Sequence, residues 1–324
     1  MVEILVNAMN RGLMVLDWTP QPDKYKNDNV HPCVRNIPNF AGHDWWMVTT
    51  PYPSGDSSVE NPILYYGDSG NNGVPPSSWQ GGVVVEDTPD RGYNSDGNLY
   101  FDGTKLWVFW RENYTPDCTA HGVDRGVFAR YTTDGLTFSE KYYFCGNDFT
   151  ITGKVGDTVM CPCVVNIDNS LKMLATYYEF TPSRKSYGLS VWDSADINSH
   201  LFTHIRNVGI LRNDNFDFWH FDIFVHDNKY YCVATAEDPR AIYLGVSEDG
   251  INYTFWGTPL ISTTLYGDYY YYKPTALVKD GILYLWHPVK ANGISTIWMD
   301  SRNFNEVLEI LNNGTSKITG ANNI

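Results

Sequence analysis

HPCVRNIPNFAGHDWWMVTT (residues 31–50), SDGNLYFDGTKLWVFWRE (95–112), CPCVVNIDNSLKMLATYYE (161–179), HFDIFVHDNKYYCVATAE (220–237) and KPTALVKDGILYLWHPV (273–289) are five versions of one pattern. Each has a turn-like start, a short apolar run, a polar turn and a second apolar or aromatic strand. The turns FDGTK from Phe101, NIDNS from Asn166, VHDNK from Val225 and VKDGI from Val278 occupy equivalent places. Asp-Gly and Asp-Asn supply the positive φ angles that a tight hairpin demands. The starts at 31, 95, 161, 220 and 273 are 64, 66, 59 and 53 residues apart, enough for four strands and their loops. Strand–turn units at such a period mean a propeller or array. The expected fold is all-β: one five-bladed β-propeller of four-stranded blades, a single domain over residues 1–324. Two tandem β-sandwiches would show a break in composition near the middle, and none is visible.

A second signature falls between the starts. FARYTTDGLTF (128–138) and YLGVSEDGINYTFW (243–256) match each other, with looser copies in ILYYGDSGNNG (63–73) and LSVWDSADINSHLF (189–202). Each reads as the outer hairpin of a blade. No stretch keeps a helical apolar period over three turns. FNEVLEIL (304–311) reads as either a short helix or a last strand. Either the N-terminal GLMVLDW or this C-terminal piece completes the ring.

Bulk properties narrow the function. Aromatic residues make up 15% of the chain, which suits strand faces and sugar-stacking surfaces alike. The formal net charge is −14, with no basic stripe, which argues against nucleic acid and anionic membranes as partners. No apolar run approaches a membrane span, and MVEILVNAMNRG lacks the pattern of a secretion signal. The expected location is cytoplasmic or virion-associated, as in a phage product released by lysis. The six cysteines include Cys161-Pro-Cys163, which is not zinc-ribbon spacing. They read as small buried hydrophobes, and the three Asn-x-Thr matches read as chance. GxSxG, P-loop, HExxH and EF-hand sequences are absent.

The inner strands of a propeller start at one end of its channel, so their first residues converge on one pocket. Those residues are His31, Ser95-Asp96, Cys161, His220 with Asp222, and Lys273. Segments after the inner hairpins add Glu60, Arg111-Glu112, Glu179 and Glu237. The candidate catalytic set is Asp96, His31, Glu60, His220 and Glu179, because glycosidic cleavage needs carboxyl groups across the bond. A histidine with a near-neutral pKa can act as acid or base. Tyr93, Arg111, Trp219, Asp222 and Lys273 are the candidate substrate-binding residues. Each has a plainer reading. Asp96 can cap a turn, Glu60 can brace a loop, and His31 and His220 can be satisfied core histidines. Arg111 can form an ion pair, while Trp45, Tyr93 and Trp219 can fill gaps between blades. In the run Tyr269–Tyr272 only half of the rings can share one face.

The five-repeat layout resembles the five-bladed propellers of glycoside hydrolase families 43, 32, 62 and 117. HPCV…WWMVTTPYP…ENP…YNSDGNL…LWVFWRE is most similar to a bacterial and phage set with HPxV…TPYP…ENP…NSDP motifs, over about residues 25–300. The resemblance implies an oligosaccharide or polysaccharide ligand at one end of the channel. It also implies virion proteins as partners, if the chain is phage-borne. No cofactor and no metal ligand set is assigned, although a channel cation such as calcium occurs in related propellers. Family 43 enzymes place a base Asp, a tuning Asp and an acid Glu at the starts of blades one, two and three. This chain has His31, Asp96 and Met160-Cys161 there, so one of three acids carries over. Three readings stay open: a glycoside hydrolase with a redrawn site, a glycan-binding tail protein without catalysis, or a structural virion part.

Overall fold

The tight turns expected from the repeats set the inner hairpins. Asp168-Asn169, Asp227-Asn228 and Asp280-Gly281 all take φ between 48° and 74°. Two successive positive φ values give the turn whose twist matches paired strands. The computed structural model describes residues 10–17, 28–70, 73–147, 156–179, 185–209, 218–236, 241–262, 272–291, 294–314 and 317–319.

Five antiparallel sheets form the blades. Blade one runs outward through Asn29–Phe40, His43–Pro51, Ile63–Gly67 and Ser78–Val84, with Val15–Leu16 parallel on its edge. Blade two is Tyr93–Phe101, Leu106–Asn113, Arg125–Thr132 and Tyr142–Gly146. Blade three is Gly156–Ile167, Ser170–Glu179, Lys185–Ser194 and Thr203–Gly209. Blade four is Phe218–His226, Lys229–Ala236, Ala241–Ser247 and Thr254–Trp256. Blade five is Thr275–Lys279, Ile282–Ala291, Ile294–Asn303 and, as its outermost strand, Asn10–Leu13.

The core is divided as a ring requires. Five apolar clusters fill the five gaps between adjacent blades. Trp46, Val48, Leu99 and Trp110 join blades one and two. Trp107, Phe109, Val164 and Trp192 join two and three, while Leu174, Phe221, Tyr243 and Phe255 join three and four. Leu244, Leu285 and Val307 lie between four and five, and Trp45, Trp79 and Trp286 between five and one. Alternation along each strand puts its two faces into two different gaps. Trp45 therefore packs in the core and is fully buried.

Both termini contribute to closure. Asn10–Leu13 pairs with Trp298–Ser301 and completes blade five. Residues Phe304–Gly314 form a helix, which resolves the open reading of FNEVLEIL. Phe304, Val307 and Leu311 lie on one helical face and are buried against blades four and five. The chain then adds Lys317–Thr319 to the edge of blade four.

The outer hairpin of blade four lies within 243–256 as read, with Gly245 opposite Phe255 and Val246 opposite Thr254, whereas that of blade two is longer. After Arg125–Thr132 the chain returns only at Tyr142, leaving Phe138 in the connection. The turn itself is held by Asp134, which accepts from the amides of Leu136 and Thr137, both at 2.8 Å.

Candidate active site

The inner strands of blades one, two and three slip register at their starts. The slips lie between Val30 and Cys33, Ser95 and Asn98, and Met160 and Cys163. The residues inside them are left-handed: His31 at φ 55°, Asp96 at 59° and Cys161 at 53°. Holding a side-chain-bearing residue there costs on the order of 1–3 kcal/mol. Three blades carry this cost at one equivalent position, and the bulge brings each residue to the ring axis. Blade four also slips, between Phe218 and His220.

Asp96 is the centre. Its Oδ1 lies 3.2 Å from His220 Nε2 and 3.7 Å from His31 Nε2. Its Oδ2 lies 3.1 Å from Arg111 Nε and accepts from the Cys161 amide at 3.4 Å. The carboxylate is thus two-faced, with Oδ2 held by protein donors and Oδ1 aimed between two imidazoles. His31 Nδ1 pairs with Thr50 Oγ1 at 2.9 Å, which fixes the ring and leaves Nε2 facing Asp96. His31, Asp96 and His220 are all buried, yet His31 Nε2 and Asp96 Oδ1 have no hydrogen-bond partner of good geometry. One ligand atom from each residue fits within 4.8 Å of the others.

The charge state follows from the surroundings. Burial pushes His31 down to about 3, against the pull of Asp96. It also lowers His220. Burial alone raises Asp96, but Arg111 and the two histidines outweigh it and hold the carboxyl well below its usual range. Glu60 moves the other way: burial, reinforced by Asp96, raises it well above an ordinary carboxyl, although Ser95 bonds to it. Both imidazoles are thus biased toward their neutral form, Asp96 toward its carboxylate and Glu60 toward its protonated form.

Arg111 continues the network outward. Its Nη1 donates to Asp157 Oδ2 at 2.8 Å, and Arg125 Nε reaches the same oxygen at 3.3 Å. Asp157 is fully buried. Tyr93 is half-buried and feels Arg111, Glu60 and Asp96. On the opposite side Trp219, half-buried, has its ring 4.2 Å from that of His220. Tyr272 lies 5.3 Å from Trp219 and 5.7 Å from His31, and Tyr52 lies 5.7 Å from Tyr272.

Two candidate binding residues are corrected. Asp222 follows His220 by two positions, so it sits one layer deeper along the axis. It is fully buried and accepts from Arg35 Nη1 and Nη2 at 2.8 and 2.9 Å and from Thr275 Oγ1 at 2.5 Å. Asn98 Nδ2 and the thiol of Cys163 reach it at 3.4 Å each. Asp222 is therefore the centre of a plug across the channel. Lys273 is also fully buried, and its Nζ donates to the Gly97 carbonyl at 2.7 Å. Its ammonium is used inside the floor and is not offered to a ligand.

Glu112 is turned away from the site. It accepts from Trp110 Nε1 at 3.1 Å and pairs with Lys141 at 2.9 Å. Glu179 ends the second strand of blade three; its side chain, like Glu237, lies outside the described residues. The six cysteines are free and buried. The sequence reading missed Thr50, Asp157, Tyr52 and the metal-type grouping of the two histidines with Asp96. The aligned starts held the signal for that grouping: His31, Asp96 and His220 occupy one layer.

No protein-family profile matches the sequence, and no curated relative does. Solved structures do. An N-acetylgalactosamine deacetylase from F. plautii, solved with blood group B trisaccharide, has a TM-score of 0.73 at 16% identity, covering 95% of this chain and 99% of that one. A GH43_1 enzyme from Xanthomonas citri complexed with xylose gives 0.61 at 10% identity, over 92% of both chains. The RS223 β-xylosidase gives 0.59 at 13%, over 87% of this chain and 95% of that one. The fold of this chain is that of the five-bladed propellers found among glycoside hydrolase-type enzymes.

Proposed function

We propose that this chain is a carbohydrate-active hydrolase that uses a divalent metal ion to remove an acyl group, such as N-acetyl, from a sugar. The observation that carries the reading is the grouping of His31, His220 and Asp96, with one potential ligand atom from each lying within 4.8 Å of the others. Metal–ligand bonds of about 2.1 Å in tetrahedral geometry put ligand atoms roughly 3.4 Å apart. The separations from Asp96 Oδ1 are 3.2 and 3.7 Å. The two imidazoles and the carboxylate are biased toward the protonation states that metal binding needs. The Thr50 bond to His31 and the Arg111 contact to Asp96 are the orienting partners such ligands require. A bound ion would supply an activated water and polarise a carbonyl oxygen.

The remaining residues fit acyl removal better than glycosidic cleavage. Glycosidases flank the bond with one acid and one free base or nucleophile. Here Asp96 is held by Arg111 and the Cys161 amide on one oxygen and faces histidines on the other. Glu60, whose carboxyl burial and the nearby Asp96 push upward, is the candidate to give a proton to a leaving amine. The similarity to a sugar deacetylase supports the same reading.

The test is acetate release from N-acetylhexosamine glycosides, with metal content measured on the same protein. The expected result is activity that chelator abolishes and added Mn²⁺ or Zn²⁺ restores, with Asp96→Asn and His220→Ala losing both metal and activity. Thr50→Val is expected to weaken metal binding about 10–100-fold. Chelator-resistant cleavage of nitrophenyl xylosides or arabinosides would establish a glycosidase instead. Glycan binding with neither activity nor metal would establish an adhesin.

A further inference from the structure

Two sides of the site differ in chemistry. Toward blades one and two lie Glu60, Tyr93 and Arg111. Another side carries three half-buried rings: Trp219 on blade four, Tyr272 just before blade five, and Tyr52 just after the second strand of blade one. Trp219 and Tyr272 are inclined by 49°, Tyr272 and Tyr52 by 74°, so the rings form a concave corner and not a flat stack.

The corner is built into the frame. Thr176, on the second strand of blade three, donates its hydroxyl to the Trp219 carbonyl at 2.7 Å. Thr235, at the corresponding place in blade four, donates to the Tyr272 carbonyl at 2.6 Å. The same latch thus pins the backbone beneath two of the rings, and a pinned ring loses little freedom when a ligand arrives. Trp219 packs in part against the apolar cluster between blades three and four, yet it and Tyr272 stay half exposed.

The cations acting on the two histidines are already matched. Arg111 is held by Asp96 and Asp157, and Lys273 by the Gly97 carbonyl. Arg125 shares Asp157. A ligand carboxylate finds no uncommitted partner among these groups.

We infer that Trp219 and Tyr272 form a subsite for the apolar face of a neutral acylamino pyranose, turning its polar edge toward Glu60 and disfavouring carboxylated sugars. This rests on the acyl-removal reading for the identity of the sugar, but the subsite is testable without catalysis. Calorimetry on metal-free protein would measure binding of N-acetylgalactosamine, N-acetylglucosamine and glucuronic acid. The acylamino sugars are expected to bind at least 10-fold more tightly than the acid. Trp219→Ala and Tyr272→Ala are each expected to weaken them roughly 10-fold, with Trp219→Phe retaining most of the affinity. Metal affinity, measured in parallel with Mn²⁺ alone, is expected to stay within a few-fold in all three variants. Variants that lose Mn²⁺ while keeping the sugar would show that the rings only support the histidines, and would overturn the subsite. Equal or tighter binding of glucuronic acid would overturn the preference for neutral sugars. Failure of the wild type to bind Mn²⁺, with sugar binding as expected, would count against the metal reading and leave the subsite standing.

Discussion

Asp102 turns the inner hairpin of blade two. Its carboxylate accepts from Trp107 Nε1 at 2.9 Å and from the amides of Thr104 and Lys105 at 2.9 and 2.8 Å. Burial pushes this carboxyl up, but the bonds outweigh it and hold it below its usual value. A carboxyl whose folded pKa is depressed adds stability above its unfolded value, near 3.9, and loses it as pH falls through the folded value. Asp102→Asn is therefore expected to cost about 1 kcal/mol at pH 7, solvent screening included. The difference from wild type is expected to shrink as pH falls below the unfolded value and through the depressed folded one. Urea unfolding at pH 7 and pH 3 checks this; an equal loss at both would contradict the account. The Asp-Gly pair at 102–103 was readable as a turn from sequence. Its bond to Trp107 was not, because a turn signal says nothing about which indole lies above it. The site divides similarly. His31, Asp96 and His220 could be aligned by repeat position, whereas Thr50 and Asp157 enter through cross-strand and cross-blade neighbours. The depth of Asp222 was missed because position two of an inner strand looks much like position zero until the layers along the axis are known.

The outer hairpins show why one residue type recurs at their turns. Gly135 has φ +74°, and a Cβ there would lie 2.3 Å from Trp46 Cη2, on the preceding blade. Gly250 has φ +71°, and a Cβ there would lie 2.8 Å from Ile167 Cδ1, again one blade back. The Asp-Gly repeat at 134–135 and 249–250 is thus both a turn and a seat for the neighbouring blade. Gly135→Ala combines backbone strain with a clash against a buried indole, so a loss of about 2–3 kcal/mol is expected. It would appear as a lower denaturant midpoint with an unchanged slope. Hairpins were legible from local turn chemistry. The extent of the FARYTTDGLTF hairpin was not, since Ser139–Lys141 are held by contacts such as Arg130 Nη1 to the Ser139 carbonyl that no local pattern announces.

At the scale of the molecule, five apolar gaps between blades make the ring, and the fifth blade depends on a strand from the far end of the sequence. Gly12 pairs opposite Met299 within Asn10–Leu13. Gly12→Pro removes a ladder donor and fixes φ at that point. The expected result is a lower thermal midpoint, by several degrees, with the whole ring melting together, because every blade packs on two others. A variant as stable as wild type would show that closure rests instead on the C-terminal helix, whose Asn312 receives Trp256 Nε1 at 3.1 Å. The number of blades was legible from the spacing of the starts. Which terminus closed them was not, because a short strand of four residues carries too little pattern to name its partner.

The plug of Arg35, Asp222 and Thr275 has a consequence for traffic. It turns the axis of the ring from a tunnel into a cul-de-sac. Under the proposed function, a substrate enters and leaves along this axis by the same mouth, so the site takes a chain end or a side branch and not the middle of a long chain.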